Sequence, residues 1–232
     1  MPADGDYGKG RRKSLNPGRI VEEALTLVDQ SGLDGLTTRA LGRQLGVDPT
    51  AIYRHFRSKD ELLAAMADRI IGSSDGERLA IADHDGSPRG QLRNVCLRLR
   101  RAVLTHPTMT AIVVHRPSQG AHSRALTEHA LGVLRRAGLG DDGAARAYQV
   151  LMSFTLGHAM LAAPYAAQDA AQASAELEAI HSTYTSLPAS HYPNTAAVAP
   201  YLCGTLDEQF SYGLDRLLDG LGVEVSQPET GG

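Results

Sequence analysis

Residues 37–62, TTRALGRQLGVDPTAIYRHFRSKDEL, constrain the fold more than any other stretch, because three helix-start signals occur within them. Two threonines begin the first helix, Asp48-Pro49 begins the second, and Ser58-Lys59-Asp60-Glu61 is a capping box for the third. Gly46 lies between the first two, where the chain must turn sharply and glycine allows a positive φ. Helix 38–45, this turn and helix 49–56 have the proportions of a helix-turn-helix unit.

The rest of the chain also predicts helices, and no convincing strand pattern occurs. Apolar stripes at helical spacing follow Asn16-Pro17, begin again near Pro88, and continue over about 119–137 and from Asp141 onward. A final stripe lies in LDEQFSYGLDRLLDGLG, whereas 72–90 and 186–200 have the composition of connections, the second with one short helix at most. These patterns indicate an all-α protein.

Composition narrows the class of protein. The 232 residues suffice for one large or two smaller domains. No apolar run approaches the roughly 18 residues of a membrane span, and no apolar stretch follows the basic start, so neither a membrane protein nor a signal peptide is expected. The only cysteines, Cys96 and Cys203, lie far apart and outside any metal-ligand spacing. A reduced cytoplasmic setting fits these features best.

Charge is distributed unevenly along the chain, although the net charge is only −3. From Lys9 to Lys59 there are ten basic and five acidic residues, which gives that window a charge of +5 and leaves −8 for the remainder. A basic window favours phosphate binding, because neutralised phosphates supply most non-specific affinity for nucleic acid. Chance and a basic tail remain an alternative explanation.

The second helix of the unit has a face suited to DNA. If Ile52 and Phe56 face inward, then Thr50, Ala51, Tyr53 and Arg54 face outward. Small, hydroxyl and guanidinium groups suit a helix whose N-terminal end meets base edges in the major groove. Helix-turn-helix shapes also occur in proteins that never touch DNA, and a Tyr-Arg-His run is commonly a solvated surface.

The stretch LTTRALGRQLGVDPTAIYRHFRSKDELL resembles the signature of the TetR (tetracycline-repressor) family of bacterial regulators, over residues 17 to about 70. The resemblance implies that four residues grip the DNA backbone: Thr38, Tyr53, His55 and Lys59. It implies that another four read bases: Arg39, Pro49, Thr50 and Ala51. Arg54 contacts either a base or a phosphate. The basic leader is expected to be a disordered tail, with a DNA-contacting arm as the alternative.

Two later segments resemble the tetracycline-repressor subclass, in which two helices pack against their copies in a second subunit. These segments are SFTLG at 153–157 and QFSYGLDRLLDGL at 209–221. The resemblance implies a homodimer, and a palindromic operator needs one. The expected interface residues are Leu151, Thr155, Ala159, Phe210, Leu214, Leu217 and Leu221. Ordinary core packing of the same stripes is the alternative.

A regulator of this kind needs a small-molecule input, and the helices between 88 and 166 are expected to enclose an apolar cavity. The candidate effector-binding residues are His106, Arg116, Tyr148, Met152, His158 and Tyr165. His106 lies near the place of a metal-coordinating histidine in the tetracycline repressor. However, Ser153 and Leu161 stand where that repressor has a histidine and an acidic residue, so metal-drug chemistry is not expected.

Together these features predict four segments: a disordered leader 1–15, a DNA-binding domain 16–62 with the helix-turn-helix at 37–56, a helical effector-binding and dimerisation domain 63–222, and a disordered tail 223–232. The expected function is a ligand-responsive regulator, most simply a repressor that binds double-stranded DNA as a homodimer and is released by a small, largely apolar effector. A regulator without small-molecule input is the alternative. No enzyme, cofactor or metal is expected, because catalytic and metal-binding motifs are absent.

Overall fold

The computed structural model describes residues 15–73, 86–115, 120–202 and 204–223. All regular structure in these ranges is helical, which confirms the expected all-α fold. The chain divides into two compact units between Glu61 and Leu62. Residues 1–14 of the expected leader and 224–232 of the expected tail lie outside the described residues.

The N-terminal unit contains α1 (Pro17–Gly35), α2 (Thr38–Leu45), α3 (Pro49–Tyr53) and the start of α4 (Lys59–Ser73). Asn16 caps α1 by accepting a hydrogen bond from the backbone N–H of Arg19 at 2.9 Å. Gly32, with φ of 72°, interrupts α1 where the sequence predicts its end. The helices enclose a small core of side chains that are nearly inaccessible to solvent: Ile20, Ala24, Val28, Leu41 and Ile52.

The C-terminal unit contains the rest of α4 and seven further helices: α5 (Pro88–Thr105), α6 (Thr110–His115), α7 (Ala121–Arg136), α8 (Asp141–Ala166), α9 (Ala170–Thr185), α10 (Pro193–Val198) and α11 (Leu206–Gly220). Two 3₁₀ turns, Pro107–Met109 and Ala199–Tyr201, complete it. The sequence patterns do not single out α9. None of its described residues from 171 to 185 is buried, although Leu177, Ile180 and Tyr184 are apolar residues at helical spacing.

The long helix α8 lies at the centre of the C-terminal unit and packs against α5, α6, α7 and α11. Its core partners are almost fully buried: Leu92, Cys96, Ala130, Val133, Leu134, Phe210, Leu214 and Leu218. Burial raises the pKa of the Cys96 thiol to about 11, so this group remains protonated and packs as a small apolar side chain.

Ion pairs between α5 and α11 accompany the burial of the apolar side of the last helix. Arg89 bonds Asp215 at 3.3 Å and Asp219 at 2.7 Å, and Arg100 bonds Asp207 at 2.7 Å. Burial of Phe210, Leu214 and Leu218 is the larger stabilising effect, because partly exposed ion pairs contribute little.

Candidate functional site

The turn between α2 and α3 has the geometry that the sequence predicts. Gly46 adopts φ 68° and ψ 35°, a left-handed conformation that suits glycine. The Asp48 carboxylate caps α3 by accepting a hydrogen bond from the backbone N–H of Thr50 at 2.8 Å. A Cβ on Gly42 would lie 3.2 Å from the Pro49 ring, so α2 approaches the start of α3 closely. These contacts hold the two short helices in one arrangement.

The helix α3 ends at Tyr53 rather than at the expected residue 56. The inner side of this stretch is formed by Ile52 of α3 and by Phe56 beyond its end, which are 1% and 6% exposed. The remaining residues of this stretch, all predicted to contact DNA, are exposed or half-buried: Pro49, Thr50, Ala51, Tyr53, Arg54 and His55. Tyr53 is notable because 54% of this large aromatic residue is open to solvent. Its side chain is therefore accessible to a partner.

The other predicted DNA contacts lie at the N-terminal ends of helices. Thr38 is the first residue of α2 and is half-buried, and the neighbouring Arg39 is exposed. Lys59 is the first residue of α4, and its Nζ donates a 3.3 Å hydrogen bond to the Leu33 carbonyl. Helix N-termini favour anions, because their free N–H groups and the helix dipole are both positive.

One acidic group lies within this cationic region. Thr50 donates to the Asp48 carboxylate through its hydroxyl at 2.5 Å and through its backbone N–H. These two hydrogen bonds hold the pKa of Asp48 below its ordinary value. The single hydroxyl hydrogen of Thr50 is therefore engaged, and its oxygen remains available as an acceptor.

The C-terminal unit contains a cavity of about 280 Å³. Seven of its lining residues are apolar: Ile71, Leu99, Val113, Val114, Leu126, Met152 and Leu156. The other three carry hydroxyl groups: Ser123, Thr127 and Tyr148. A mostly apolar space with a few convergent polar groups is typical of a small-molecule site.

The three hydroxyl groups belong to one hydrogen-bonded chain. The oxygens of Tyr148 and Thr127 lie 2.7 Å apart, and the Thr127 hydroxyl also bonds the Ser123 carbonyl at 2.9 Å. The Ser123 hydroxyl donates to Asp68 of α4 at 2.8 Å. Sequence reasoning found Tyr148 but missed Ser123 and Thr127. Their spacing of four residues on one helix is a signal that could have found them.

Asp68 joins α4 to the first turn of α7. Besides the Ser123 hydroxyl, its carboxylate accepts hydrogen bonds from the backbone N–H groups of Ser123 at 3.0 Å and His122 at 3.3 Å, and it lies 3.0 Å from His122 Nδ1. Burial raises the pKa of Asp68, but the hydrogen bonds from Ser123 and His122 outweigh it and the net pKa is lowered. A Cβ on Gly120 or Gly72 would clash with Asp68 or His122, respectively, so the junction is closely packed.

Of the six predicted effector contacts, Tyr148 and Met152 line the cavity, whereas His106, His158 and Tyr165 are not among its lining residues. Arg116 lies outside the described residues. His158 instead packs edge-on against Phe210 and accepts a 3.4 Å hydrogen bond from Arg100 at Nδ1. Burial, together with the charge of Arg100, lowers its pKa and favours the neutral imidazole.

The predicted dimer residues lie mainly inside the protomer. Five are at most 1% exposed: Leu151, Thr155, Ala159, Phe210 and Leu214. Leu217 and Leu221 are half-buried and pack against the same core. The structure thus encloses five of these side chains in the protomer's own core and leaves Leu217 and Leu221 partly accessible, while the interface assignment itself stays a prediction. The most apolar side of α8 and that of α11 pack in the protomer's own core.

A different side of α8 is open. It carries exposed residues at helical spacing: Val150, Ser153, Gly157, Leu161 and Pro164. Leu161 is 68% exposed, and Tyr212 of α11 is 71% exposed. A Cβ on Gly213 would lie 2.5 Å from the Phe154 ring, so α11 crosses close to α8 beside this side. The sequence does not predict this open side of α8, because small and polar residues interrupt its apolar residues.

The described residues contain no group of three or more His, Cys, Asp or Glu side chains that could hold a metal ion. In the same ranges, no single helix has the length and hydropathy needed to cross a membrane. One pair of helices, Asp141–Ala166 and Ala171–Thr185, meets the length and composition test together but is bent by 112°.

Comparison with known proteins gives matches over nearly the whole chain. Residues 20–66 match the family model described as bacterial regulatory proteins, tetR family, and residues 82–225 match the tetracyclin repressor-like C-terminal domain. The class A tetracycline repressor of transposon 1721 from Escherichia coli is 31% identical, over 89% of this chain and 90% of the relative. The transcriptional repressor DrrR1 of Streptomyces coeruleorubidus is 29% identical, over 94% and 82%.

Solved structures give the same result. The TetR family protein ActR of Streptomyces coelicolor, in complex with actinorhodin, superposes with a TM-score of 0.76 and 27% identity, over 90% of this chain and 97% of that one. The family, fold and regulatory function expected from the sequence are thereby confirmed. The chain belongs to the TetR family of bacterial regulatory proteins, with a tetracycline repressor-like C-terminal domain.

Proposed function

We propose that the protein is a homodimeric repressor that binds a palindromic operator and is released when a small, largely apolar effector enters the cavity of the C-terminal unit. The observation that carries this proposal is the course of α4. Lys59, a predicted phosphate contact, begins this helix, and Ile71 lines the cavity near its other end.

On DNA, the exposed side of α3 would lie in the major groove. Arg39, Pro49, Thr50 and Ala51 would contact base edges, and the free acceptor of Thr50 suits a base amino group. Thr38, Tyr53, His55 and Lys59 would hold the phosphate backbone, with Arg54 available to either. Lys59 would exchange its bond to the Leu33 carbonyl for a phosphate oxygen, a stronger, charge-assisted contact.

The open side of α8, with Tyr212 of α11, is our proposed dimer interface. It offers exposed apolar side chains and the small residues Ser153 and Gly157, which allow helices to approach closely. Nothing in the described part of the protomer lies within 4 Å of a Cβ placed on Gly157. A homodimer would present two α3 helices to half-sites about 34–36 Å apart.

Release follows if the effector prefers a conformer in which the two α3 helices no longer match that spacing. An occupied cavity acts on α4 through Ile71, and it also adjoins the hydrogen-bonded chain that ends at Asp68 of the same helix. A ligand shifts such an equilibrium only by its difference in affinity for the two conformers. Regulation rather than catalysis is the proposed role, and the cytoplasm, where the chromosome lies, is the proposed location.

DNA selection with the purified full-length protein tests this proposal. The protein is incubated with a random-sequence duplex pool at moderate salt, and bound sequences are amplified and read. We expect enrichment of a palindrome with two half-sites separated by about one helical turn. Enrichment of a single half-site would contradict the dimeric arrangement, and the absence of any enriched sequence would contradict specific DNA binding.

A further inference from the structure

Three residues of the cavity lining, Ser123, Thr127 and Tyr148, take part in hydrogen bonds through their hydroxyl groups. The direction of each bond follows from the number of hydrogens that each hydroxyl group has. A serine or threonine hydroxyl has one hydrogen. The Ser123 hydrogen goes to the Asp68 carboxylate, which only accepts, and the Thr127 hydrogen goes to the Ser123 carbonyl. The 2.7 Å contact between Thr127 and Tyr148 must therefore be donated by Tyr148.

Every hydroxyl hydrogen on the described lining is consequently engaged, and the hydroxyl oxygens face the cavity only as acceptors. The Tyr148 hydrogen points to Thr127, and the Thr127 hydrogen points to the Ser123 backbone carbonyl, so these two bonds are aligned. Donation to Thr127 strengthens the Tyr148 oxygen as an acceptor and leaves it no hydrogen for a ligand.

The rest of the described lining carries no charge. Its other seven described residues are apolar, and none of the ten described lining residues has a charged side chain. A charged ligand would lose its hydration in this space without gaining a partner there, which is costly.

From these observations we infer the chemical class of the effector. It is an uncharged molecule with an apolar body and one hydroxyl or amide N–H group, and that group donates a hydrogen bond to the Tyr148 oxygen. This inference rests on the proposed function, since it takes the cavity to be the effector site. It adds a rule for ligand selectivity. A ligand that offers only a hydrogen-bond acceptor next to Tyr148 would face the Tyr148 oxygen, which is also an acceptor, and would bind less tightly.

A matched pair of probes tests the rule. We would titrate 2-naphthol and 2-methoxynaphthalene into the full-length protein by isothermal calorimetry, because the two share an apolar body and differ in one donor hydrogen. Wild type is expected to bind the naphthol about tenfold more tightly, a preference of the size that one hydrogen bond provides. Equal binding, or tighter binding of the ether, would overturn the inference.

Variants assign the preference to the cavity. Tyr148→Phe alone leaves the Thr127 oxygen as an acceptor, so the double variant Tyr148→Phe/Thr127→Val is needed to remove this bonded pair. Because the Ser123 oxygen remains on the lining, the double variant should lose most of the preference. Tyr201→Phe is the matched control, because this tyrosine is 85% exposed and outside the cavity, and it should keep the wild-type preference. Circular dichroism shows whether the double variant folds. If it does not fold, the wild-type comparison still tests the inference, together with Tyr148→Phe, which should lower the preference for the naphthol over the ether.

Failure of this inference and failure of the proposed function give different results. If the ether binds as well as the naphthol and both release the operator in a mobility-shift assay, the donor rule is wrong and the effector role stands. If neither probe binds while operator binding is intact, both the donor rule and the effector part of the proposed function are contradicted.

Discussion

At the scale of single residues, the helix-turn-helix uses different residues for shaping the turn and for contacting DNA. Gly46 and Gly42 shape the turn, since one has a positive φ and the other leaves space for Pro49. Ile52 faces the core, while Tyr53 and Arg54 contribute little to folding because they are exposed. Substitutions in the exposed group should therefore change DNA binding and leave stability nearly unaltered.

Arg39→Ala and Lys59→Ala distinguish base reading from phosphate binding. Arg39→Ala should weaken binding to the selected operator by about 1–3 kcal/mol and relax its sequence preference, because a base contact is lost. Lys59→Ala should weaken binding to all sequences alike and lower the slope of log K against log salt by about 1, because one phosphate contact is lost. Fluorescence anisotropy over a salt series measures both quantities. Equal effects of the two changes on random DNA would contradict the assigned roles.

At the scale of elements, the hydrogen bonds of Asp68 join α4 to α7. One carboxylate oxygen accepts from the backbone and the hydroxyl of Ser123, and the other accepts from the backbone of His122 and lies beside its ring. An asparagine at this position would keep one acceptor oxygen and place an NH₂ group against donors. The junction between α4 and α7 therefore depends on the charged form of the carboxylate.

Asp68→Asn should lower the free energy of unfolding at neutral pH by about 1–3 kcal/mol, the range for hydrogen bonds to a charged group. The pKa of Asp68 is depressed in the folded state, so its contribution is present above the ordinary pKa of an aspartate and is lost as the pH falls through the lower folded value. The difference from wild type should thus be constant near pH 6 and shrink below about pH 4. Urea denaturation at several pH values measures it.

Asp142→Asn is the control for this experiment. Asp142 pairs with Arg146 at 2.8 Å, but both side chains are mostly exposed, and such pairs contribute little to stability. It should leave the unfolding free energy almost unchanged throughout. A pH-independent loss in Asp68→Asn would mean that packing, rather than the carboxylate charge, holds the junction.

At the scale of the whole molecule, the protomer has an enclosed core and an open helical side. Leu151 and Leu161 illustrate the difference, since both lie on α8 but are 1% and 68% exposed, respectively. The first stabilises the protomer. The second has no folding role in the protomer and is available to a partner.

Leu161→Glu should therefore convert the dimer to a folded monomer with weak operator binding, because a charge would be buried at the centre of the proposed interface. Ala145→Glu is the matched control, since it is exposed on the same helix about 160° away from Leu161. Sedimentation velocity gives the mass and circular dichroism the helix content. A Leu161→Glu protein that remained dimeric would place the interface elsewhere.

Sequence reasoning succeeded wherever local signals carry the information. The cap at Asp48, the left-handed Gly46 and the inward pair Ile52 and Phe56 all occur where the sequence predicts them. It failed for α9, none of whose described residues from 171 to 185 is buried, and it found only Tyr148 and Met152 among the ten described residues lining the cavity.

By itself, the sequence determined the helical class and the helix-turn-helix, because caps, turns and helical periodicity act over a few residues. It indicated the regulator family through the resemblance of one motif. Only the tertiary structure decided which side of α8 and α11 belongs to the protomer and which is open. Periodicity indicates that a stripe is buried but not what buries it. The contacts that bury the apolar side of α11, such as Phe210 stacked on Phe154, join residues far apart in the sequence, and no local pattern contains that information.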